Sequence, residues 1–152
     1  MTLSSEILSK CKHIRSFVGV FPADKLPKIK QYPVCLIMNT HTSDKPGEHW
    51  VAVYINENGF GEYFDSYGLP PLIKYFTDFL DNNCPNGWTY NTKTIQWLTS
   101  INCGKYCVFY LWLRDIDIST YNIMRIFSTL NQQLNDDVID EFYNLFPCSE
   151  NR

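Results

Sequence analysis

The run Tyr106-Cys-Val-Phe-Tyr-Leu-Trp-Leu113 constrains this chain more than any other stretch. It carries no charge and is apolar on nearly every side of a helix, so a helix built from it has no face to offer to water. Such a helix has to be central, with other elements wrapped around it. Just upstream stands Asn102-Cys103-Gly104, where Asn is a residue type that caps helices. The pattern predicts one long buried helix from Cys103 to about Asp115. A chain of 152 residues suits one domain and one core around it, and 45% hydrophobic with 19% charged residues is an ordinary globular balance. The expectation is a single domain over residues 1–152.

The rest of the chain supplies the wrapping. Ser4 and Ser5 precede Ile7, Leu8, Cys11 and Ile14 at helical spacing, which predicts a short serine-capped helix. Val34-Cys-Leu-Ile-Met38 is fully apolar and suits a buried strand. Residues 39–48 are polar and contain Pro46-Gly47, a loop signal. His49–Ile55 and Phe60–Asp65 flank Asn58-Gly59, a strong hairpin signal. Leu69-Pro-Pro71 is expected to open a helix with Leu72, Ile73, Phe76, Phe79 and Leu80 on its apolar side. Trp88–Tyr90 and Thr92–Ile95 read as edge-strand pieces, and two or more helices are expected from Thr120 to about Phe146. The order helix, strands, helix, strand, helices predicts an α+β fold with an antiparallel hairpin at its centre.

Charge and cysteine content narrow the function classes. A net charge of −3 argues against nucleic acid as the main partner. The charge is uneven: residues 1–30 hold six Lys/Arg and two acids, and residues 114–152 hold three Arg and seven acids. The basic end reads either as a solvated helix face or as a surface for an acidic partner. Six cysteines are present (Cys11, Cys35, Cys84, Cys103, Cys107, Cys148). The N-terminal residues lack the apolar run of a signal peptide, and no stretch approaches the roughly 20 apolar residues of a membrane span. Free thiols in a reducing compartment are therefore expected. Cys103-x3-Cys107 lacks the second ligand pair of a structural zinc site, so no metal is expected. No glycine-rich phosphate loop is present.

The candidate chemistry centres on Cys103. A nucleophilic thiol has to be deprotonated, which a helix N-terminus, a neighbouring His and nearby oxyanion donors all assist. Cys103 starts the long helix, whereas Cys107 lies a turn further in, where desolvation makes a thiol inert. Standing alone, the Cys103–Cys107 segment reads as two small core residues. His49 sits where the polar loop meets an apolar strand, a position suited to a cleft or to an ordinary surface histidine. The Asn58-Gly59 turn sets the two strands side by side, which brings Asp65 to His49; a carboxylate there fixes the imidazole tautomer and stabilises its charge. Asp65 also suits a turn-capping role before Ser66-Tyr67-Gly68. Glu62, its rival, lies three residues nearer the turn on the opposite face. Gln96, seven residues before Cys103, offers an amide donor for an oxyanion beside the Cys103 N–H.

Taken in order, His49-Trp50, Phe64-Asp65-Ser-Tyr-Gly68, Gln96 and Asn102-Cys103-Gly104 resemble the adenovirus-type cysteine proteases (adenain), related in fold to the ubiquitin-like-protein proteases. The early Ser-Ser-Glu helix, the Phe-x-Gly segment at 17–19 and the strand before Gly47-Glu-His-Trp50 add to the likeness, which covers roughly residues 4–115. It implies a papain-like/adenain-like fold: a small central antiparallel sheet packed against a helix that starts at the catalytic Cys. It implies Cys103 as nucleophile, His49 as general base and then acid, Asp65 as orienting acid and Gln96 as oxyanion donor. Trp50 would pack over or beside the cleft, and Asn102 and Gly104 would shape the oxyanion loop. Asp65 stands where adenovirus enzymes have Glu, as in the ubiquitin-like-protein branch, and the chain beyond Cys103 is shorter than in adenain.

The resemblance also implies cleavage of polypeptides at Gly-containing sites, with capsid or core precursors of a virus or virus-like transposon as substrates during virion maturation. It places the protein in the virion and the host cell interior, nucleus or cytoplasm. Stimulation by a viral peptide joined through a cysteine, with Cys84 near the comparable place, and by DNA are further implied possibilities; the net charge sits poorly with DNA. No other cofactor is called for, nor a membrane partner. Two other readings stand beside this one: a protease removing ubiquitin-like modifiers, and a non-catalytic protein-binding module that keeps the fold.

Overall fold

The structure, a computed structural model, describes Thr2 and residues 4–145. Cys148 and the end of the last expected helix, at Phe146, lie outside the described residues. The chain runs through α1 (Ser4–Cys11), β1 (Phe17–Pro22), β2 (Val34–Asn39), β3 (Trp50–Ile55), β4 (Gly61–Phe64), α2 (Lys74–Asn83), β5 (Trp88–Tyr90), α3 (Cys103–Asp115), α4 (Thr120–Ile126) and α5 (Gln132–Leu145). The five strands form one sheet in the order of the sequence. This is the expected α+β class.

The centre of the sheet is antiparallel, as expected: β2 pairs with β3 and β3 with β4. The outer pairs are parallel, β1 with β2 and β4 with β5, so the sheet is mixed rather than antiparallel throughout. Parallel neighbours need a return connection. The proline-bearing segment 23–33 provides one and α2 the other, and strand pattern alone does not distinguish such a return from a hairpin.

Both faces of the sheet are covered, which is why β2 and β3 are buried at every position. Side chains alternate between the two cores, as the period of a strand requires. Cys35, Ile37, Ala52, Tyr54 and Phe64 face α3. Leu36, Met38, Val51, Val53 and Tyr63 face α2 through Phe76, Phe79 and Leu80. Helix α3 is the buried central helix the sequence predicts, flanked by α1, α4 and α5. Tyr110 stacks on Phe64 with ring centroids 4.4 Å apart and planes within 5°. Arg114 Nε donates to Glu62 at 2.8 Å, and the Tyr110 and Thr120 hydroxyls donate to the same carboxylate. Each fully buried aliphatic side chain such as Val108 or Leu111 stabilises this packing by about 1.5–3 kcal/mol.

Three local expectations need correction. Helix α2 starts at Lys74, after an extended Ile73 (φ −90°, ψ 129°), and not at the proline pair. Leu72 therefore lies outside the helix and is 76% exposed. Residues 92–95 carry no strand pairing; β5 ends at Tyr90. Asn102 does occupy the position before α3, but its side chain makes no capping hydrogen bond. Among the described residues no helix is long and apolar enough to cross a membrane. The five described cysteines are free.

Candidate active site

His49 stands one residue before β3. The hairpin register pairs Ala52 with Phe64 and Ile55 with Gly61. Following that register outward sets His49 beside the Asp65–Tyr67 turn, where its ring lies 5.1 Å from that of Tyr67. His49 Nε2 is 2.9 Å from Asp65 Oδ1. Asp65 is itself held from three directions. Its Oδ1 accepts the Tyr67 N–H at 2.8 Å, its N–H donates to Asn91 Oδ1 at 2.9 Å, and its carbonyl accepts from Asn91 Nδ2 at 2.6 Å. Glu62 is turned to the opposite face, onto Arg114, and takes no part.

Cys103 lines the same cleft as the imidazole. With Nε2 engaged by Asp65, Nδ1 is the nitrogen left for the sulfur. Burial by itself would lower the pKa of His49. The hydrogen bond and negative charge of Asp65, with Cys103 close by, outweigh burial and hold the ring up to about 9. An imidazolium between a carboxylate and a sulfur is the state this geometry favours.

Cys107, one turn further along α3, is fully enclosed, and burial drives its thiol well above the ordinary range. Burial likewise pushes Cys35 up to about 12 and Cys84 up to about 11. Cys84 packs against Gly61, where an added Cβ would sit 2.4 Å from its sulfur.

Gln96 is 1% exposed and locked at both ends of its amide. The Ser66 hydroxyl donates to Oε1, and Nε2 donates to the Ser100 carbonyl at 3.0 Å. Ser66 thereby selects the amide orientation, and the second N–H of Nε2 is left to serve the cleft. The segment is anchored from below, since the Ile95 and Gln96 N–H groups both donate to the Ser66 carbonyl. One cleft of about 310 Å3 is lined by His49, Gln96 and Cys103 together with Tyr67, Ser100 and Ile101. A larger cavity of about 370 Å3 borders Trp50 but holds none of the first three residues, so chemistry and size point to different places, and the chemistry decides.

The remaining expected residues are placed as supports. Trp50 is buried beside the cleft, and its Nε1 donates to the Thr2 carbonyl at 3.1 Å. Gly104 does not line the cleft. A Cβ there would meet Ile7 and Thr2 at 3.0 Å and Trp50 at 3.1 Å, so glycine lets α3 approach α1 and Trp50 closely. Asn102 directs Nδ2 to Asp140 at 3.2 Å. Sequence reasoning missed Ser66, Asn91 and Ser100, which orient Gln96 and Asp65. They are small polar residues in irregular segments, and no periodicity marks them. Among the described residues no group of His, Cys, Asp and Glu is arranged to hold a metal ion.

No protein-family model matches the sequence, and no curated protein matches it. Solved structures do resemble it. The ASFV pS273R protease overlays with a TM-score of 0.56 at 21% identity, covering 74% of this chain and 43% of that one. This chain thus spans less than half the length of that protease. The central domain of the Legionella pneumophila protein Lpg1148 overlays with a TM-score of 0.50 at 12% identity, covering 97% of this chain and 99% of that one. The C-terminal Ulp1 protease domain, solved with Smt3, the yeast orthologue of SUMO, gives a TM-score of 0.40 at 14% identity, over 90% of this chain and 75% of that one. The overlay on the ASFV protease agrees with the architecture already derived, a mixed sheet backed by a central helix: this chain shares the fold of that protease.

Proposed function

We propose that this protein is a cysteine endopeptidase that cleaves polypeptides by acyl transfer. One observation carries the reading: a single narrow cleft holds the Cys103 sulfur, the His49 ring with Asp65 behind it, and the Gln96 amide. The Cys103 thiolate attacks the scissile carbonyl carbon, and the carbonyl π pair moves onto oxygen. The Gln96 Nε2–H and the Cys103 N–H stabilise that oxygen. The tetrahedral adduct collapses, the C–N bond breaks, and His49 gives its proton to the leaving amine. Water, deprotonated by His49, then attacks the thioester and releases the acid and the thiol. Asp65 holds the ring and stabilises its charge throughout.

The substrates proposed are capsid or core precursor proteins, cut at Gly-containing sites during virion maturation. Two things favour this reading. Cys103 is only 4% exposed, so a residue without a bulky side chain reaches it most readily. The protein of similar fold from ASFV is a protease by name.

The test is labelling of the intact protein with a Gly-Gly peptide vinyl sulfone, a ubiquitin-like vinyl-sulfone probe, and iodoacetamide. The expected result is covalent modification of Cys103 by the peptide probe at least about tenfold faster than of Cys11, Cys35, Cys84 or Cys107, because burial disfavours the thiolate at those four. Selective reaction with the modifier probe would move the reading to a deconjugating protease. Equal labelling of Cys103 and the other cysteines would leave a non-catalytic module.

A further inference from the structure

Helix α5 touches both segments that carry the oxyanion donors. Asn135 Nδ2 donates to the Ile95 carbonyl at 3.0 Å and Gln132 Nε2 to the Thr94 carbonyl at 3.2 Å, so the chain leading into Gln96 hangs from α5. At the other wall, the Tyr106 hydroxyl donates to Asp136 at 2.6 Å. Asp140 Oδ1 accepts from Lys105 Nζ at 2.8 Å and from Asn102 Nδ2 at 3.2 Å.

The Asn102 contact departs from what its position predicts. An Asn just before a helix ordinarily has an extended backbone and turns its side-chain oxygen onto the N–H of the second or third helical residue. Asn102 has φ −90° and ψ 8°, and its side chain caps nothing. Its amide is drawn to Asp140 instead, and its N–H is held by Ser100 Oγ at 3.1 Å. The first-turn N–H groups of a helix, here those of Cys103, Gly104 and Lys105, have no carbonyl within the helix to meet. A capping side chain would consume one of them. The peptide unit that bears the Cys103 N–H is planar, so ψ of Asn102 sets its orientation relative to the loop before it.

We infer that Asp140 is a positioning residue. By holding Asn102 away from the capping conformation, it fixes the peptide unit that bears the Cys103 N–H in its present orientation and leaves the Gly104 and Lys105 N–H groups uncapped, so that the start of α3 faces the negative charge that develops in the cleft. The inference rests on the peptidase reading for its kinetic meaning, though not for its structural content.

The experiment compares wild type, Asp140→Ala, Asn102→Ala, the double variant and Asn102→Asp on a Gly-Gly peptide substrate. Asp140→Ala is expected to lower kcat about tenfold with KM unchanged, a partial loss of one oxyanion donor. In the Asn102→Ala background the same change is expected to have no further effect, since no side chain is left to cap. Asn102→Asp, a strong cap repelled by Asp140, is expected to lower kcat while Tm holds or rises. Equal losses from Asp140→Ala in both backgrounds, or a fall in Tm that tracks kcat in Asn102→Asp, would overturn the inference. Amide hydrogen exchange reads the same point without turnover: Gly104 and Lys105 should exchange more slowly in Asn102→Asp than in wild type. That pattern in a protein that cleaves no peptide would sink the peptidase reading and leave the inference standing. Normal turnover with unchanged exchange would do the reverse.

Discussion

Cys103 and Cys107 lie one turn apart in α3, and both are close to inaccessible, at 4% and 0% exposure. Burial by itself therefore does not separate them. What separates them is direction and company. Cys103 begins the helix and meets the imidazole of His49, which Asp65 keeps charged. Cys107 points into the core shared by Cys11, Cys35 and Trp50, where charge of any kind is costly. Two identical side chains on one helix have different surroundings because a hairpin from elsewhere in the chain delivers an imidazole to the cleft of one of them.

The sharpest way to break this comparison is to remove each thiol in turn. Cys103→Ala should abolish peptide cleavage, by at least about 10^4-fold in kcat, as loss of a nucleophile does. Cys107→Ala should keep most of the activity and cost about 1–2 kcal/mol of stability through the small cavity it leaves. Steady-state kinetics and denaturant unfolding of both variants decide it, and an inactive Cys107→Ala with an active Cys103→Ala would reverse the assignment.

Smaller effects sharpen the account of what sets Cys103 apart. Asp65→Asn should lower kcat about 10^2- to 10^3-fold, through loss of charge stabilisation and of the favoured tautomer. Above about pH 9, where the proton on His49 no longer contributes, its Tm should match wild type, because the Tyr67 and Asn91 contacts to the Asp65 position survive an amide. A large drop in Tm with rate tracking folded fraction would make Asp65 structural. Gln96→Ala should cost about 10^2-fold in kcat with KM nearly constant, the size of one oxyanion donor. A pure KM effect would move Gln96 out of that role.

The mildest effect is in pH. His49 is held up to about 9 in the folded chain, above its ordinary 6.5. Its contribution to stability is therefore fully present below about 6.5 and is lost as pH rises through about 9. Thermal unfolding followed across that window should show Tm falling in wild type and falling less in Asp65→Asn. Identical slopes would mean that Asp65 does not hold the proton on the ring.

The legible parts of the site were those governed by local rules. Asn58-Gly59 sets a hairpin register, and the register sets His49 against Asp65, so two residues 16 apart in sequence could be paired from the turn alone. The all-apolar run from Tyr106 required a central helix, and its first residue then had to be at an end. The illegible parts depend on irregular segments. Ser66, Ser100 and Asn91 act through single hydrogen bonds made by loops, which leave no spacing to read. The helical spacing of Leu72 with Phe76 and Phe79 suggests an earlier start for α2, yet Ile73 is extended and Leu72 faces solvent. Asn102 was read as a cap because its residue type and position both fit. The competing partner, Asp140, sits 38 residues away and only folding brings it near.

That distance has a consequence for how the site comes into being. The base and its carboxylate sit on a short hairpin that can close as soon as residue 65 has left the ribosome. The nucleophile follows within the next forty or so residues. The last helix, which steadies both the Gln96 segment and the start of α3, is made after everything it supports. During synthesis the chain thus holds its reactive groups before it holds them in place. Completion of α5 is the step that converts an assembled set of side chains into a fixed one.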